Sequence, residues 1–388
     1  MICGLHLGSI SEEYGGNVRM LNVLMILKKI FDMDVILYIS DSSNNVKTNL
    51  NYKNFIDIRR FPKPFLIGKT DSIFLYMVPE IFAKQLKRSE LVSLKPKVTL
   101  IESPFMGYCT LKVMKFPNDD SLKIYDSHNI EVNYYKHHFN YLPFKKQILK
   151  KIEKIQEFIS NNADIIFSPS MDEIKIFEKK YHINSDKLIL VPQGVDTSII
   201  KPINYQHKKI LKENIGWKYS FHVVFMGSKI KPNIDACKII INNISKKLPN
   251  VAFIIIGNVS DSLDNVPSNV KNLGILPFSE KNNFLQMSDV AINPVWHGAG
   301  TNGKMIEYLS AGLPIVTTQF GGRGLDLIHN EDAIIDDDTN NFANHISEII
   351  RNDYLNEKLQ RNARIKSKAY DWNNIALNIK NNLQKYIS

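Results

Sequence analysis

The 388-residue sequence predicts an α/β protein built from two doubly wound domains. Short runs that are almost continuously apolar, and rich in Ile and Val, predict parallel strands buried on both faces. Segments with apolar residues at helical spacing alternate with these runs, which is typical of a parallel sheet covered by helices. The alternation occurs on both sides of one polar, basic stretch, and the chain is long enough for two domains of ordinary size.

The apolar runs and the helical segments can be placed on the chain. The strand-like runs are KVTLIES (97–103), LKIYDS (122–127), DIIFSP (164–169), HVVFMG (222–227), VAFIIIG (251–257), DVAINP (289–294) and LPIVTT (313–318). The helical segments are 17–30, 145–162, 233–247, 303–311, 354–370 and a final helix in 370–388.

The polar stretch sets the predicted domain organisation. A strand gives way to a Pro/Gly turn and then to basic residues, so we place a linker near 196–212. The predicted domains are 1–200 and 201–370, followed by a terminal helix, 371–388. Ligands of doubly wound sheets bind beyond the carboxyl ends of the strands. The predicted site is therefore a cleft between the two domains.

Charge and cysteine content narrow the function classes. The net charge of +10 is concentrated in residues 51–100 and 201–250, with ten basic residues in each against four and two acidic ones. This excess favours an anionic membrane surface or anionic substrates, or it is simply solvated charge. Nucleic acid is not expected, because no helix interleaves Arg with aromatic residues. Cysteines 3, 109 and 237 lack paired spacing, which predicts a reducing compartment and neither disulfides nor a zinc site.

The ends and the hydropathy of the sequence predict a cytoplasmic protein. The N-terminal residues have no basic region followed by an apolar run, so no signal peptide is predicted. No stretch of about 18 apolar residues occurs, so no segment is expected to span a membrane.

The segment HGAGTNGKMIE (297–307) resembles a phosphate-binding loop with one misfit. From Gly298 the spacing matches the start of a Walker A motif, but Met305 replaces the Ser or Thr whose hydroxyl binds Mg²⁺. The acidic run AIIDDD (333–338) precedes the polar start of another helix, where acids are favourable without any metal. A metal-dependent nucleoside triphosphatase is therefore the weaker interpretation.

The same loop suits a nucleoside diphosphate without a metal. Gly298, Gly300 and Gly303 let backbone N–H groups approach a ligand, and the following helix presents its N-terminus to an anion. Lys304 adds a positive charge. Glu307 lies one turn into the helix, where a carboxylate can accept hydrogen bonds from two ribose hydroxyls.

The stretch 292–325, INPVWHGAGTNGKMIEYLSAGLPIVTTQFGGRGL, resembles the donor-binding signature of family 4 glycosyltransferases. That family has the GT-B fold, in which two Rossmann-like domains face each other across a central cleft and a C-terminal helix crosses back to the first domain. Other segments in the family's order are YGGN (14–17) followed by Arg19, YDSHNIE (125–131), DIIFSPS (164–170), VPQGVDTSIIKP (191–202), VVFMGSKIKPNIDA (223–236) and AYDW (369–372).

The resemblance implies a set of site residues. Its catalytic residues are His128 near the transferred sugar, Lys229 and Lys304 at the diphosphate, and Glu307 on the ribose; Lys231 adds charge from the same loop as Lys229. The implied donor-binding residues are Gly227, Ser228, Gly298, Ala299, Gly300, Thr301, Asn302 and Gly303. Gly15, Gly16 and Asn17 border the diphosphate and the acceptor. No metal is implied, because basic side chains, N–H groups and a helix N-terminus neutralise the leaving diphosphate.

Two positions depart from the family pattern. Ala299 stands where many members have a glutamate eight residues before the ribose carboxylate, so no carboxylate contacts the sugar there. Ser228 stands where the family commonly has Arg, which leaves open which side chain balances the β-phosphate. His137 and His138 are interpreted as surface or packing residues.

The resemblance implies a retaining glycosyltransferase of the hexosyltransferase type. It would use a UDP-, GDP- or ADP-sugar as substrate with no cofactor, and act on a glycan, lipid-linked or other glycoconjugate acceptor in polysaccharide biosynthesis. A cytoplasmic protein with peripheral membrane contact is expected, and the oligomeric state is not predicted. The alternatives are a nucleotide-sugar epimerase on the same fold and, because of Ala299 and Ser228, a non-catalytic nucleotide-sugar-binding partner subunit.

Overall fold

A computed structural model describes residues 1–6, 15–39, 55–60, 79–87, 89–117, 120–138, 144–298 and 303–387. The chain divides into two compact units. The first comprises Met1–Gln193 and Ile375–Ser388, and the second comprises Gly194–Asn374. In the ranges described, no helix combines the length and the apolar character needed to cross a membrane.

The first unit is a parallel sheet with helices between its strands. The strands are β1 (Ile2–His6), β2 (Val35–Ile39), β3 (Ile56–Arg60), β4 (Val98–Ile101), β5 (Leu122–Asp126), β6 (Ile165–Ser168) and β7 (Leu188–Leu190). The α-helices are α1 (Gly15–Phe31), α2 (Pro79–Leu86), α3 (Pro104–Gly107), α4 (Glu131–His138), α5 (Lys145–Asn162) and α6 (Met171–Tyr181). Within the described residues the sheet order is β3-β2-β1-β4-β5-β6-β7, so the direction of winding reverses between β1 and β4.

The second unit repeats this architecture. Its strands are β8 (Phe221–Met226), β9 (Val251–Ile256), β10 (Val270–Gly274), β11 (Val290–Asn293), β12 (Ile315–Thr317) and β13 (Ile334–Ile335). Its α-helices are α7 (Tyr205–Ile215), α8 (Lys231–Ile239), α9 (Ser245–Lys247), α10 (Phe278–Met287), α11 (Gly303–Ser310), α12 (Phe342–Arg351) and α13 (Asp353–Ser367). The last helix, α14 (Trp372–Leu383), begins in this unit and belongs to the first unit from Ile375 onward. The described strands follow the order β10-β9-β8-β11-β12-β13 and reverse their winding between β8 and β11.

The apolar runs form these strands because both faces of each sheet are covered. Every residue of β2, β4, β6, β9 and β11 is buried, and neighbouring strands pair in parallel. A run of Ile and Val on such a strand removes apolar surface from water on both sides, at about 25 cal/mol per Å². The predicted class of two doubly wound parallel sheets is confirmed.

Residues 205–215 differ from the sequence-based expectation. Their polar composition predicts part of a linker, whereas the structure shows the helix α7. Asn204 caps its start by accepting a hydrogen bond from the His207 N–H, and Gly216 ends it in the left-handed conformation. Two lysines of this helix, Lys208 and Lys212, bind the Asp289 carboxylate at 2.8 and 2.7 Å. Capping and charge pairing therefore add to a short apolar face, Leu211 and Ile215, which packs partly buried against the core.

Candidate functional site

In the second unit, three loops meet at the carboxyl edge of the sheet where the winding reverses. They follow β8, β11 and β12, and they contain most of the residues predicted to bind the donor. This is the edge at which doubly wound sheets bind ligands. Ala299, Gly300, Thr301 and Asn302 lie outside the described residues, and Gly303 is the first residue of α11.

The loop after β8 is fixed by Asn233, a buried residue of α8. A Cβ on Gly227 would lie 3.0 Å from the Asn233 side chain, so a larger residue would have to displace Asn233. The Asn233 amide donates to the Ser228 carbonyl at 2.9 Å. The predicted cations of this loop both lie beside acids. Lys229 Nζ is 3.8 Å from Asp261, and Lys231 Nζ is 2.5 Å from Asp235.

The start of the loop after β11 is packed against the beginning of α8. His297 Nε2 lies 3.1 Å from the Asp235 carboxylate. Gly298 has a φ of 129°, which a residue with a side chain rarely adopts, and a Cβ there would be 3.1 Å from Pro232. The glycine predicted from the motif is thus required by the backbone itself. Met305, the misfit of the Walker A pattern, is fully buried in the core beneath the loop.

Lys304 lies in the first turn of α11 and is held by two uncharged groups. Its ammonium donates to Asn233 Oδ1 at 2.8 Å and lies 4.2 Å from the centroid of the Phe225 ring. None of the described carboxylates is within ion-pair distance of it. Burial lowers the pKa of Lys304 to about 7. A bound anion would therefore strongly stabilise the charged form of Lys304.

Glu307 lies one turn further along α11 and has a partner that the sequence did not predict. Lys281 of α10 places its ammonium 2.7 Å from the Glu307 carboxylate, and both side chains are about a quarter exposed. Tyr308, the next residue, accepts a hydrogen bond from the Met226 N–H at 2.7 Å. This bond fixes the register of α11 against β8, and so places Lys304 and Glu307 at the edge of the sheet.

The loop after β12 contributes a cation that sequence reasoning missed. It is tied to the end of β11 by the Asn293 amide, which donates to the Gly321 carbonyl at 3.0 Å. Arg323 stacks on Phe320, with its guanidinium carbon 3.8 Å from the ring centroid, and donates to the Phe320 carbonyl at 2.8 Å. The available signal was an arginine within a glycine-rich segment directly after an apolar strand.

In the first unit, ionisable residues converge at the corresponding edge. His6 ends β1, Glu102 follows β4, and Asp126 ends β5; the His6 ring and the Glu102 carboxylate form a short hydrogen bond. Arg19 of α1 donates to the Ser127 carbonyl at 2.9 Å and pairs with Asp126 at 2.7 Å, with both side chains buried. Arg19 belongs to a motif recognised in the sequence, whereas His6 and Glu102 were not predicted.

His128 lies beside this group, with Nε2 3.8 Å from Asp126 Oδ2 and without a hydrogen-bond partner among the described residues. Burial, Arg19 and His6 hold the pKa of His128 well below its usual range, so the ring is neutral. Burial raises the pKa of Asp126 to about 7 against the opposing effect of Arg19. A neutral imidazole can accept a hydrogen bond from a sugar hydroxyl, or donate one to it, without adding charge.

Gly15 and Gly16 are the first residues of α1, and Asn17 follows them as a buried residue. Three ionisable groups of this edge, Glu102, Asp126 and His128, can place one ligand atom each within 4.8 Å of one another, the geometry of a cation site. Arg19 already forms an ion pair with Asp126, and its positive charge would compete with a metal ion for that carboxylate. His137 and His138 lie in the last turn of α4.

Residues 220–352 match the family "Glycosyl transferases group 1". An uncharacterized 44.6 kDa protein from the cps region of Klebsiella pneumoniae is 27% identical over 254 residues, which cover 60% of this chain and 61% of that protein. The chain therefore aligns with less than two thirds of that relative's length.

Solved structures share the fold across nearly the whole chain. Sucrose-phosphate synthase from Thermosynechococcus elongatus superposes with a TM-score of 0.76 at 14% identity, covering 98% of each chain. Anabaena HepE in complex with UDP superposes with a TM-score of 0.72 at 14% identity, covering 99% of this chain and 100% of that one. These matches confirm the predicted GT-B fold.

Proposed function

Residues 220–352 belong to the glycosyl transferases group 1 family, and from this premise we propose that the chain is a retaining, metal-independent glycosyltransferase. It moves a sugar from a nucleoside-diphosphate sugar to a glycan, lipid-linked or other glycoconjugate acceptor. The observation that carries the proposal is Lys304, a cation without a carboxylate partner in the described part of the chain. It lies at a helix N-terminus one turn before Glu307.

The proposed chemistry follows from where charge develops. As the bond between the anomeric carbon and the diphosphate breaks, negative charge grows on the leaving oxygen. Lys304 and the N-terminus of α11 lie where they stabilise that charge, in a setting that excludes much of the water and so strengthens the interaction. Glu307 accepts hydrogen bonds from the ribose hydroxyls and sets the position of the diphosphate against Lys304.

The first unit is proposed to bind the acceptor. His128, neutral because its pKa is lowered, would hydrogen-bond a sugar hydroxyl, and Gly15, Gly16 and Asn17 would border the ligand. The proposed domains remain 1–200 for the acceptor, 201–370 for the donor, and a terminal helix, 371–388. A cytoplasmic location with peripheral membrane contact is proposed from the family resemblance and the basic character of the chain. UDP in complex with HepE supports a UDP-sugar as the first donor to test.

Donor affinity is expected to fall as the pH rises above 7. In the free protein Lys304 loses its proton as the pH passes through its pKa of about 7, whereas a bound diphosphate favours the protonated form. Binding then requires uptake of a proton, so the association constant should fall by up to about tenfold per pH unit. Isothermal titration with UDP between pH 7.5 and 9 measures this, since the phosphate's own pKa lies near 6.

Lys304→Met is the matched control for this pH dependence. It should bind UDP weakly at every pH in that range, with no proton uptake detected in buffers of different ionisation enthalpy. A wild-type affinity independent of pH would show that Lys304 is not the group that binds the phosphate.

Product analysis distinguishes this proposal from the alternatives. Purified protein is incubated with the nucleotide-sugar that binds it, with and without a panel of saccharide and polyprenyl-linked acceptors, and the products are separated by chromatography. A transferase releases nucleoside diphosphate in proportion to glycosylated acceptor, and the anomeric coupling constant by NMR shows retention. A new nucleotide-sugar without acceptor would indicate an epimerase. Binding with no turnover on any acceptor would indicate a partner subunit.

A further inference from the structure

The loop after β12 presents a guanidinium at the same edge of the second sheet as Lys304. Parallel pairing of β11 with β12 places their loops side by side, and the bond from Asn293 to the Gly321 carbonyl joins the two. A Cβ on Gly321 would lie 2.7 Å from the Asn293 carbonyl oxygen, so this close approach requires glycine. Arg323 follows two residues later. Its position is therefore set by the sheet and not by a free loop.

The loop after β8 supplies little free positive charge at this edge. Ser228 is uncharged, Lys229 lies beside Asp261, and Lys231 is bound to Asp235. The Asp235 carboxylate is also engaged by His297. An anion would have to compete with these carboxylates for either lysine. The two lysines that the sequence predicted for this loop, Lys229 and Lys231, are therefore less available to a phosphate than Lys304.

Lys304 and Arg323 are different, because neither has a carboxylate partner in the part of the chain that the structure describes. Each cation lies against an aromatic ring and donates a hydrogen bond to a neutral oxygen. Lys304 lies against Phe225 and donates to the side-chain amide oxygen of Asn233. Arg323 lies against Phe320 and donates to the Phe320 carbonyl. Arg323 stays charged at neutral pH, although burial lowers its pKa to about 10. Its charge also contributes to the lowered pKa of Lys304, so the two cations are close enough to repel.

Two neighbouring cations without acids are unfavourable in the free protein, and an anion that bridges them removes the repulsion. A guanidinium is suited to this role because it presents planar, paired donors to phosphate oxygens. One of its nitrogens, Nη1, is held by the Phe320 carbonyl, and the stack on Phe320 fixes the plane. The remaining donors are then orientated before the ligand arrives.

We propose that Arg323 binds the β-phosphate of the donor's diphosphate together with Lys304, in place of the cation that Ser228 lacks. This inference rests on the proposed function, and it makes Arg323 a specificity-determining residue for a nucleoside diphosphate over a monophosphate. The ribose end of the ligand stays with Glu307, on the far side of the first turn of α11.

Isothermal titration of UDP, UMP and inorganic pyrophosphate tests this, using wild type, Arg323→Gln, Arg323→Lys and Arg361→Gln. Arg361 is an exposed arginine of α13 and serves as the matched control. Arg323→Gln is expected to weaken UDP binding by about 10- to 100-fold, the range for one or two charge-assisted hydrogen bonds, and UMP binding by less than about threefold. Arg323→Lys should recover part of the loss, and Arg361→Gln should bind as wild type.

Unchanged UDP affinity in Arg323→Gln would overturn the proposal, and so would equal losses for UDP and UMP, which would indicate a role in the fold of the loop. The proposed function can fail separately. If wild type binds pyrophosphate but no nucleotide, and Arg323→Gln removes that binding, the diphosphate site stands while the nucleotide-sugar donor does not. If wild type binds neither, both are overturned.

Discussion

Glu307→Gln is expected to lower the affinity for the donor nucleotide by about 100-fold. A carboxylate that accepts from two ribose hydroxyls makes two charge-assisted hydrogen bonds, each contributing about 1.5–3 kcal/mol. The glutamine keeps the shape but loses the charge and one acceptor, and it leaves the Lys281 ammonium, 2.7 Å away in the wild type, without its partner. Isothermal titration with UDP measures the change.

The matched control for this experiment is a nucleotide without ribose hydroxyls. If Glu307 binds those hydroxyls, wild type should bind 2′,3′-dideoxyuridine diphosphate about as weakly as Glu307→Gln binds UDP, and the variant should not distinguish the two ligands. Lys281→Met should lower the affinity for UDP by less than about fivefold, because a partly exposed ion pair contributes at most about 1 kcal/mol. A Glu307→Gln protein that still prefers UDP over the dideoxy analogue would contradict the assignment.

Arg19→Met is expected to destabilise the first unit by about 3 kcal/mol at pH 9 and by less than about 1 kcal/mol at pH 7. With Arg19 present the pKa of the fully buried Asp126 is about 7, so the carboxylate depends on its cation above that pH, whereas in the variant Asp126 must take up a proton on folding. Denaturant unfolding followed by far-UV circular dichroism measures the loss. Tryptophan fluorescence provides an internal comparison, since Trp217, Trp296 and Trp372 all belong to the second unit. The circular dichroism transition should begin at lower denaturant than the fluorescence transition.

A second variant separates the loss of the ion pair from the loss of packing around Arg19. The double substitution Arg19→Met with Asp126→Leu replaces the buried pair by apolar groups, and it should recover most of the stability. If Arg19→Met at pH 9 unfolds at the wild-type denaturant concentration by both probes, the buried pair does not stabilise the first unit.

Eight of the described strands, β4 to β9 with β11 and β12, were predicted from sequence because each is an apolar run that meets a single local requirement, burial. The strands β1, β2, β3, β10 and β13 were not predicted. The predicted helix 145–162 matches α5 at both ends. The helix α7 was missed because its apolar face is short, with Leu211 and Ile215 packed partly buried against the core. Its Asn cap and its pairing with Asp289, far away in sequence, add to that packing.

Those residues of the candidate site could be predicted from sequence whose type or position is fixed by the backbone conformation of the loop and helix. Gly298 needs its positive φ, and Lys304 follows from the loop-to-helix spacing. The pairing of Lys281 with Glu307 and the stack of Arg323 on Phe320 were not predictable, because each depends on how elements pack or on the course of one loop. The roles given to these residues stay predictions. The predicted loop residues Ala299, Gly300, Thr301 and Asn302 lie outside the described residues.

The most direct test of the central claim, that the edge of the second sheet binds a nucleoside-diphosphate sugar without a metal, is a thermal-shift screen. UDP-, GDP- and ADP-sugars and ATP are compared with and without Mg²⁺, the metal-free arm containing EDTA. A ligand that binds only the folded state stabilises it by RT ln(1 + c/Kd), where c is the free ligand concentration, so the melting temperature rises with that concentration. We expect stabilisation by one nucleotide-sugar series, equal in EDTA and in Mg²⁺. Stabilisation by ATP with Mg²⁺ alone would contradict it.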